Sequence, residues 1–264
     1  MSRPIVALVT DFGTRDAYVG AMKGVILSLH ADVTLVDLSH DVPAHDIRHG
    51  ARLLADAAPY FPDGTIFVAV VDPGVGTSRR ALAIDTGRQR FVGPDNGLLW
   101  LVLDAAPTST VVELSAPQYQ RPAPSRTFEG RDRFAPAAAH LARGVAVDAL
   151  GPRVVDPVRL DWPAPAVAAA AIVGVVDAVD HFGNLVTNIP RAALDGLCAA
   201  GPVTITLAER VVPRLVATYA EVAVGEACAL VGSTERLEIA VHGGRADTHF
   251  AAGPGTPVAV RRIA

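Results

Sequence analysis

The chain has 264 residues, half of them hydrophobic, and a formal net charge of −4 with the charges dispersed. That length allows one large domain or two smaller ones with a sizeable core. The dispersed, slightly acidic charge excludes a nucleic-acid surface, which needs a basic stripe, and suits an enzyme acting on a small molecule. Two cysteines without metal-type spacing, Cys198 and Cys228, read as small core residues, with a reducing cytoplasm as the expected location.

In chain order, "PIVALVT" reads as a buried first strand ending at Asp11, too short for a signal-peptide core. "DAYVGAMKGVILSLH" has helical spacing, with Tyr18, Met22, Val25, Ile26 and Leu29 on one face. "VTLVDLS" is a second strand. "DIRHGARLLADAAPYF" is a second helix, with Asp46 favouring its N-terminal end. "TIFVAVV" is a continuous apolar strand of the parallel type. "ALAIDT" and "RQRFVG" form a hairpin, "NGLLWLVLDA" a short helix, "TVVEL" a strand, and "DRFAPAAAHLARG" a helix ending at Gly144. The alternation predicts an α/β domain over residues 1–150, a mainly parallel sheet with helices on both faces. Residues 151–168 are proline-rich and read as a linker. From 169 to 264 the runs "AIVGVVDAVD", "LVTNI", "VTITL", "LVATYAEV", "ACALVGS", "RLEIAVHGG" and "PVAVRRI" predict a C-terminal all-β, barrel-like domain.

Ligands gather at the carboxyl ends of parallel strands. Asp11, Asp37 and Asp72 stand at such ends. In "DPGVGTSRR" the spacing lacks both the P-loop and the G-x-G-x-x-G pattern, so its glycines serve a tight turn. That turn can bring Arg79 back beside Asp72. Two readings stand open: a structural salt bridge, or a pair that holds and polarises water. In "TFEGRDRFAP", Thr127 or Asp132 is a candidate helix cap, and Arg131 with Asp132 a candidate surface pair. "DHFGNLVTN" reads either as an ordinary hairpin turn or as a recognition loop carrying Asp180, Asn184 and Asn188. Ser233 is equally open. The eight histidines show no paired ligand spacing, so no metal site is expected.

The blocks "TDFGTRDAYVGAMKGVI", "YFPDGTIFVAVVDPGVGTSRRALAI", "FVGPDNGLL", "TFEGRDRFAPAAAHLARG", "DHFGNLVTNI" and "LVGSTERLEIAV" resemble the S-adenosyl-L-methionine hydrolases, or hydroxide adenosyltransferases, relatives of the fluorinase and chlorinase. The resemblance runs in order through nearly the whole chain. It implies an N-terminal α/β domain, a C-terminal β-barrel and a homotrimer with active sites between subunits. It also implies attack of water or hydroxide on ribose C5′ without metal or cofactor. By that resemblance Asp72 and Arg79 fall on the acid and arginine that orient the water.

Glu129 replaces the family's histidine in T-F-H-G-R-D; it can accept a hydrogen bond, and beside Asp72 it adds like charge that favours protonation of one carboxyl. Gly130 stands where the fluorinase has a serine that contacts fluoride, and an anionic Asp72 disfavours a halide. Asp11 matches the acid holding both ribose hydroxyls. Asp16 and Asp180 match acids near the methionine ammonium, and Ser233 a serine near its carboxylate. Thr234 stands where the fluorinase has arginine. Asn184 matches the asparagine that reads adenine, Phe182 and Tyr219 match aromatics around the base, and Phe128 one lining the reaction centre. His45 falls where the fluorinase has tryptophan, and His242 departs from an asparagine. The alternatives are a halide-dependent adenosyltransferase and a non-catalytic binder of adenosine or S-adenosylmethionine that lost activity with the histidine.

Overall fold

The computed structural model describes residues 3–263, which form two units, one up to Leu160 and one from Asp161 onward. In the first, strands β1 (Ile5–Thr10), β2 (Thr34–Ser39), β3 (Ile66–Val70), β4 (Ala81–Asp85), β5 (Arg90–Pro94) and β6 (Thr110–Glu113) lie in the order β2-β1-β3-β5-β4-β6. The β1–β2, β1–β3 and β3–β5 pairings are parallel. The β4–β5 hairpin and β6 add an antiparallel edge. Along β1, Val6 and Leu8 turn to one core and Ala7 and Val9 to the other, all fully buried. A strand covered on both faces therefore loses the polar alternation of a half-exposed one and reads as one apolar run.

Helices α1 (Tyr18–Leu29) and α4 (Ala135–Ala142) cover one face. Met22 and Ile26 of α1 are fully buried, while Tyr18, expected on the same stripe, is 50% exposed. The alanines of α4 let the two helices approach closely. Helices α2 (Ile47–Ala57) and α3 (Trp100–Asp104) cover the other face. There Phe67 and Phe91 stack at 4.9 Å, a contact of about 0.5–1.5 kcal/mol beyond area burial. Asp46 caps α2 by accepting the His49 N–H at 2.9 Å. Gly144, at φ +90°, lies just beyond α4, in the left-handed conformation that favours glycine after a helix.

Part of the proline-rich stretch belongs to this unit. Val154 N–H donates to Val111 and Glu113 N–H to the Pro152 carbonyl, which covers the open edge of β6.

In the second unit, β7 (Ala166–Ala168), β8 (Ala171–Val179), β9 (Leu185–Pro190), β10 (Val203–Leu207), β11 (Arg210–Val212), β12 (Ala227–Val231), β13 (Arg236–Val241) and β14 (Pro257–Arg262) run in the order β11-β10-β14-β8-β9-β13-β12, with β7 beside β8. The segment after β11 nearly closes the barrel: Val216 N–H donates to Ala229, and Ala229 N–H to Arg214. Leu185, Ile189, Leu237, Ile239, Val258 and Val260 fill it. Two short helices, α5 (Arg191–Cys198) and α6 (Ala246–Phe250), are additions that the strand pattern did not announce. "LVATYAEV" is not a full strand; after the Leu215–Ala229 bridge it tightens into a 3₁₀ turn at 219–221, stabilised by a reciprocal Thr218–Glu221 capping box.

Candidate functional site

The first-unit site begins where β3 ends. Asp72 follows the last apolar residues, and the chain reverses through Gly74 and Gly76. Val75 N–H bonds to the Asp72 carbonyl at 3.3 Å, and Thr77 N–H to the Gly74 carbonyl at 3.2 Å. Gly76 is required: its φ is +81°, and a Cβ there would stand 2.8 Å from the Arg126 carbonyl oxygen. The reversal returns Arg79 to Asp72, where Nε donates to Oδ1 at 2.8 Å and Nη2 donates to Oδ2. The same Nη2 donates to Glu129 Oε2 at 2.6 Å. Asp72, Arg79 and Glu129 are thus in direct contact, with side chains only 5%, 9% and 11% exposed. Burial alone pulls the Arg79 pKa down, but the bonds and charges of Asp72 and then Glu129 outweigh it and raise it above its ordinary value.

The like charge expected beside Asp72 has a counterweight in the structure. Arg133 Nη1 approaches Glu129 Oε1 at 3.3 Å, four residues along the same chain turn. Two carboxylates therefore share two guanidiniums. The spacing was a usable signal for Arg133, and the sequence reading did not use it. Neighbouring Arg80 serves a different purpose, bonding Asp95 at 2.7 Å and Asp156 at 2.7 Å and so tying down the stretch after β6.

Phe128 packs against Tyr18 (ring centroids 5.1 Å apart) and Phe12 (5.9 Å). Gly130 lies beneath this trio; a Cβ there would meet Met22 Sδ at 3.0 Å and Phe128 Cε2 at 3.3 Å. Asp132 caps no helix. It is nearly fully buried and receives Arg131 Nε at 2.7 Å and the Ser125 N–H at 2.7 Å, and Arg131 first among these holds its pKa below the usual carboxylate value. Thr127 makes no cap either; its N–H donates to Ser125 Oγ at 3.2 Å. Residues 130–134 form a wide π-type turn running into α4.

At the end of β1, Asp11 Oδ2 accepts the His45 N–H at 2.9 Å. His45 is held at φ +68° and its side chain is exposed. Asp16 is exposed as well.

In the second unit Asp180, Phe182, Asn184, Tyr219 and Ser233 line one cavity of about 830 Å³. Asp180 takes the Asn184 N–H at 2.8 Å on one oxygen and Asn184 Nδ2 at 2.9 Å on the other. This fixes the amide, leaving its Oδ1 as an acceptor and one N–H as a donor for a ligand edge. Phe182 is 71% exposed and Tyr219 37% exposed, so both rings offer open faces. His242, whose effect was not foreseen, lines the same cavity and donates from Nδ1 to the Val222 carbonyl at 2.8 Å.

The sequence reading also passed over Glu238, which is buried in this wall and accepts the Tyr219 hydroxyl at 2.6 Å. Burial raises the Glu238 pKa, and Asp180 adds to that against the Tyr219 bond. The lone acid in "RLEIAV" was the available signal. Among the described residues no group of three or more His, Cys, Asp or Glu is arranged to hold a metal ion.

Residues 6–151 match the model of the S-adenosyl-L-methionine hydroxide adenosyltransferase N-terminal domain, and residues 174–259 match that of its C-terminal domain. The chain belongs to the S-adenosyl-L-methionine hydroxide adenosyltransferase family. Within that family, the chain is 40% identical over 263 residues to the (R)-S-adenosyl-L-methionine hydrolase of Thermus thermophilus, covering 97% of this chain and 98% of that one. It is also 34% identical over 222 residues to the fluorinase of Nocardia brasiliensis, with 74% of each chain covered. A Thermotoga maritima crystal structure superimposes with a TM-score of 0.91 at 32% identity, covering 97% of this chain and 100% of that one.

Proposed function

We infer that the protein hydrolyses S-adenosyl-L-methionine to adenosine and L-methionine, and that Asp72, Arg79 and Glu129 position the water. The observation that carries this reading is the buried Asp72–Arg79–Glu129 contact at a sheet's carboxyl edge, in a chain 40% identical to a hydrolase over nearly its whole length.

The chemistry suits such a site. The oxygen of water bonds to ribose C5′ while the C5′–S bond breaks. The bonding pair leaves on sulfur as a neutral thioether, so no acid is needed for the leaving group. The surplus proton passes to a carboxylate. Catalysis then reduces to placing one water in line and accepting its hydrogen bonds. Asp72 and Glu129 offer acceptor oxygens, and Arg79 holds both at fixed spacing. Glu129 performs this task in place of a histidine, with Arg133 balancing its charge.

Asp11 suits paired ribose hydroxyls, Asp16 and Asp180 the methionine ammonium, and Ser233 its carboxylate. Asn184 with Phe182 and Tyr219 suits adenine, and Phe128 the reaction centre. These residues divide between the two units. The family resemblance supplies the arrangement that unites them: a homotrimer, each site completed by neighbouring subunits. The reading places the enzyme in the cytoplasm and gives it no metal or cofactor. Among the described residues, no helix is long and apolar enough to cross a membrane.

Incubating the purified protein with S-adenosylmethionine and separating the products tests the proposal. Adenosine and methionine are expected. Asp72→Asn is expected to lower kcat by about a hundredfold or more; unchanged turnover would remove Asp72 from the mechanism. With saturating chloride the product remains adenosine, and appearance of the 5′-chloronucleoside would identify a halogenase instead.

A further inference from the structure

Behind Asp11 lies a hydrogen-bonded chain that the water site does not use. Thr10 Oγ1 and His40 Nδ1 are 2.8 Å apart, and His40 Nε2 is 2.9 Å from Asp37 Oδ1. Lys23 Nζ donates to the other oxygen of Asp37 at 2.6 Å. Thr10 is fully buried and His40 is 5% exposed. A carboxylate only accepts, so Nε2 carries a proton, and in the neutral form of the ring Nδ1 is the acceptor for the Thr10 hydroxyl. The Thr10 oxygen is then free to accept, and it takes the Phe12 N–H at 3.2 Å. The His40 carbonyl takes the next one, the Gly13 N–H, at 2.8 Å. The residues on either side of Asp11 are therefore held by one histidine, through its ring and through its backbone.

The order hydroxyl, imidazole, carboxylate imitates a nucleophile triad. Thr10 Oγ1 is the wrong atom for that role, because its residue has no solvent-exposed surface and the oxygen is already engaged by the Phe12 N–H. The geometry is that of a brace.

We propose that Thr10, His40 and Asp37 are positioning residues that set the Asp11 turn, so that its carboxylate meets both hydroxyls of a ribose. The proposal rests on the reading of Asp11 as the ribose-binding acid. Asp37 completes the chain as an ionised acceptor: burial raises its pKa, but the hydrogen bonds from Lys23 and then His40 lower it further, to a net value below the ordinary one. Removing the Thr10 hydroxyl leaves both the Phe12 N–H and His40 Nδ1 without a partner in a buried place, and the turn shifts to find others.

The test is a ligand-and-protein cycle by calorimetry on the full chain, with adenosine and 2′,3′-dideoxyadenosine as probes. Thr10→Val, which keeps the side-chain shape, is expected to weaken adenosine by about tenfold while changing dideoxyadenosine by less than about twofold. Thr10→Ser, which restores the hydroxyl, is expected to restore adenosine affinity. Asp37→Asn, at a half-exposed position that tolerates change, gives the same selective loss at smaller size should Thr10→Val fold poorly. Equal weakening of both nucleosides would mark the chain as ordinary scaffold and overturn the proposal, as would an unchanged adenosine affinity. A wild-type protein that does not distinguish the two nucleosides would instead overturn the role of Asp11 itself, and the proposal with it.

Discussion

At the scale of single residues, adjacent arginines of one short turn have opposite fates. Arg79 turns inward to two acids, and Arg80 turns to Asp95 and Asp156 and anchors a connecting stretch. The sequence reading singled out Arg79 and gave Arg80 no role, because the partners of Arg80 lie on a strand end and a loop that are distant along the chain. Gly130 carries a similar lesson. Gly130→Ser places a Cβ against Met22 and Phe128, and Met22 is fully buried with little room to yield. The expected cost is about 1–3 kcal/mol of overpacking, read as a lower Tm, with loss of activity as Phe128 is displaced.

Asp132 gives a pH prediction. Its folded pKa is lowered, chiefly by Arg131, so its contribution is complete above the unfolded carboxylate value. It fades as pH falls through the lower folded value. Thermal melts of Asp132→Asn are expected to show a shallower loss of Tm on acidification than wild type.

At the scale of elements, caps and turns decide where helices and strands stop. Helix α2 begins where Asp46 accepts the His49 N–H; Asp46→Ala is expected to cost about 1 kcal/mol, measured by denaturant unfolding. The approach to α4 is less regular. The wide turn at 130–134 precedes it and carries Arg133 in reach of Glu129. The second unit shows how a local motif displaces a strand. Leu215 pairs with Ala229 of β12, but Thr218 and Glu221 satisfy each other's backbone groups, and the chain curls. The apolar residues of "LVATYAEV" favoured a strand, and the short-range polar bonds prevailed.

At the scale of the molecule, the candidate residues fall into two sets, a buried acid–guanidinium cluster in the first unit and a roomy cavity in the second. A trimer that unites them predicts a sedimentation mass three times that of the chain. It also predicts that dilution below the association range lowers specific activity. Chelator dialysis is expected to leave turnover unchanged, since the reading assigns bond cleavage to water and carboxylates; a loss reversed by a divalent cation would reject that assignment.

The sequence by itself determined the two-part architecture, the buried strands, the Asp72 turn and the acids at strand ends. These follow from local rules: hydrophobic period, glycine at turns, acids before helices. It also placed Asp180, Asn184 and Ser233 within blocks whose family resemblance pointed to one ligand. Only the tertiary structure decided that Glu129 sits between two guanidiniums, that Asp132 is a buried ion-pair partner and not a cap, that Glu238 backs Tyr219, and that His40 braces the turn of Asp11. Arg133 beside Glu129 and Arg131 beside Asp132 are close in sequence, but the remaining partners are brought together by the fold, and the energy of a charge or hydrogen bond is set by that neighbourhood and its burial, which no local pattern encodes.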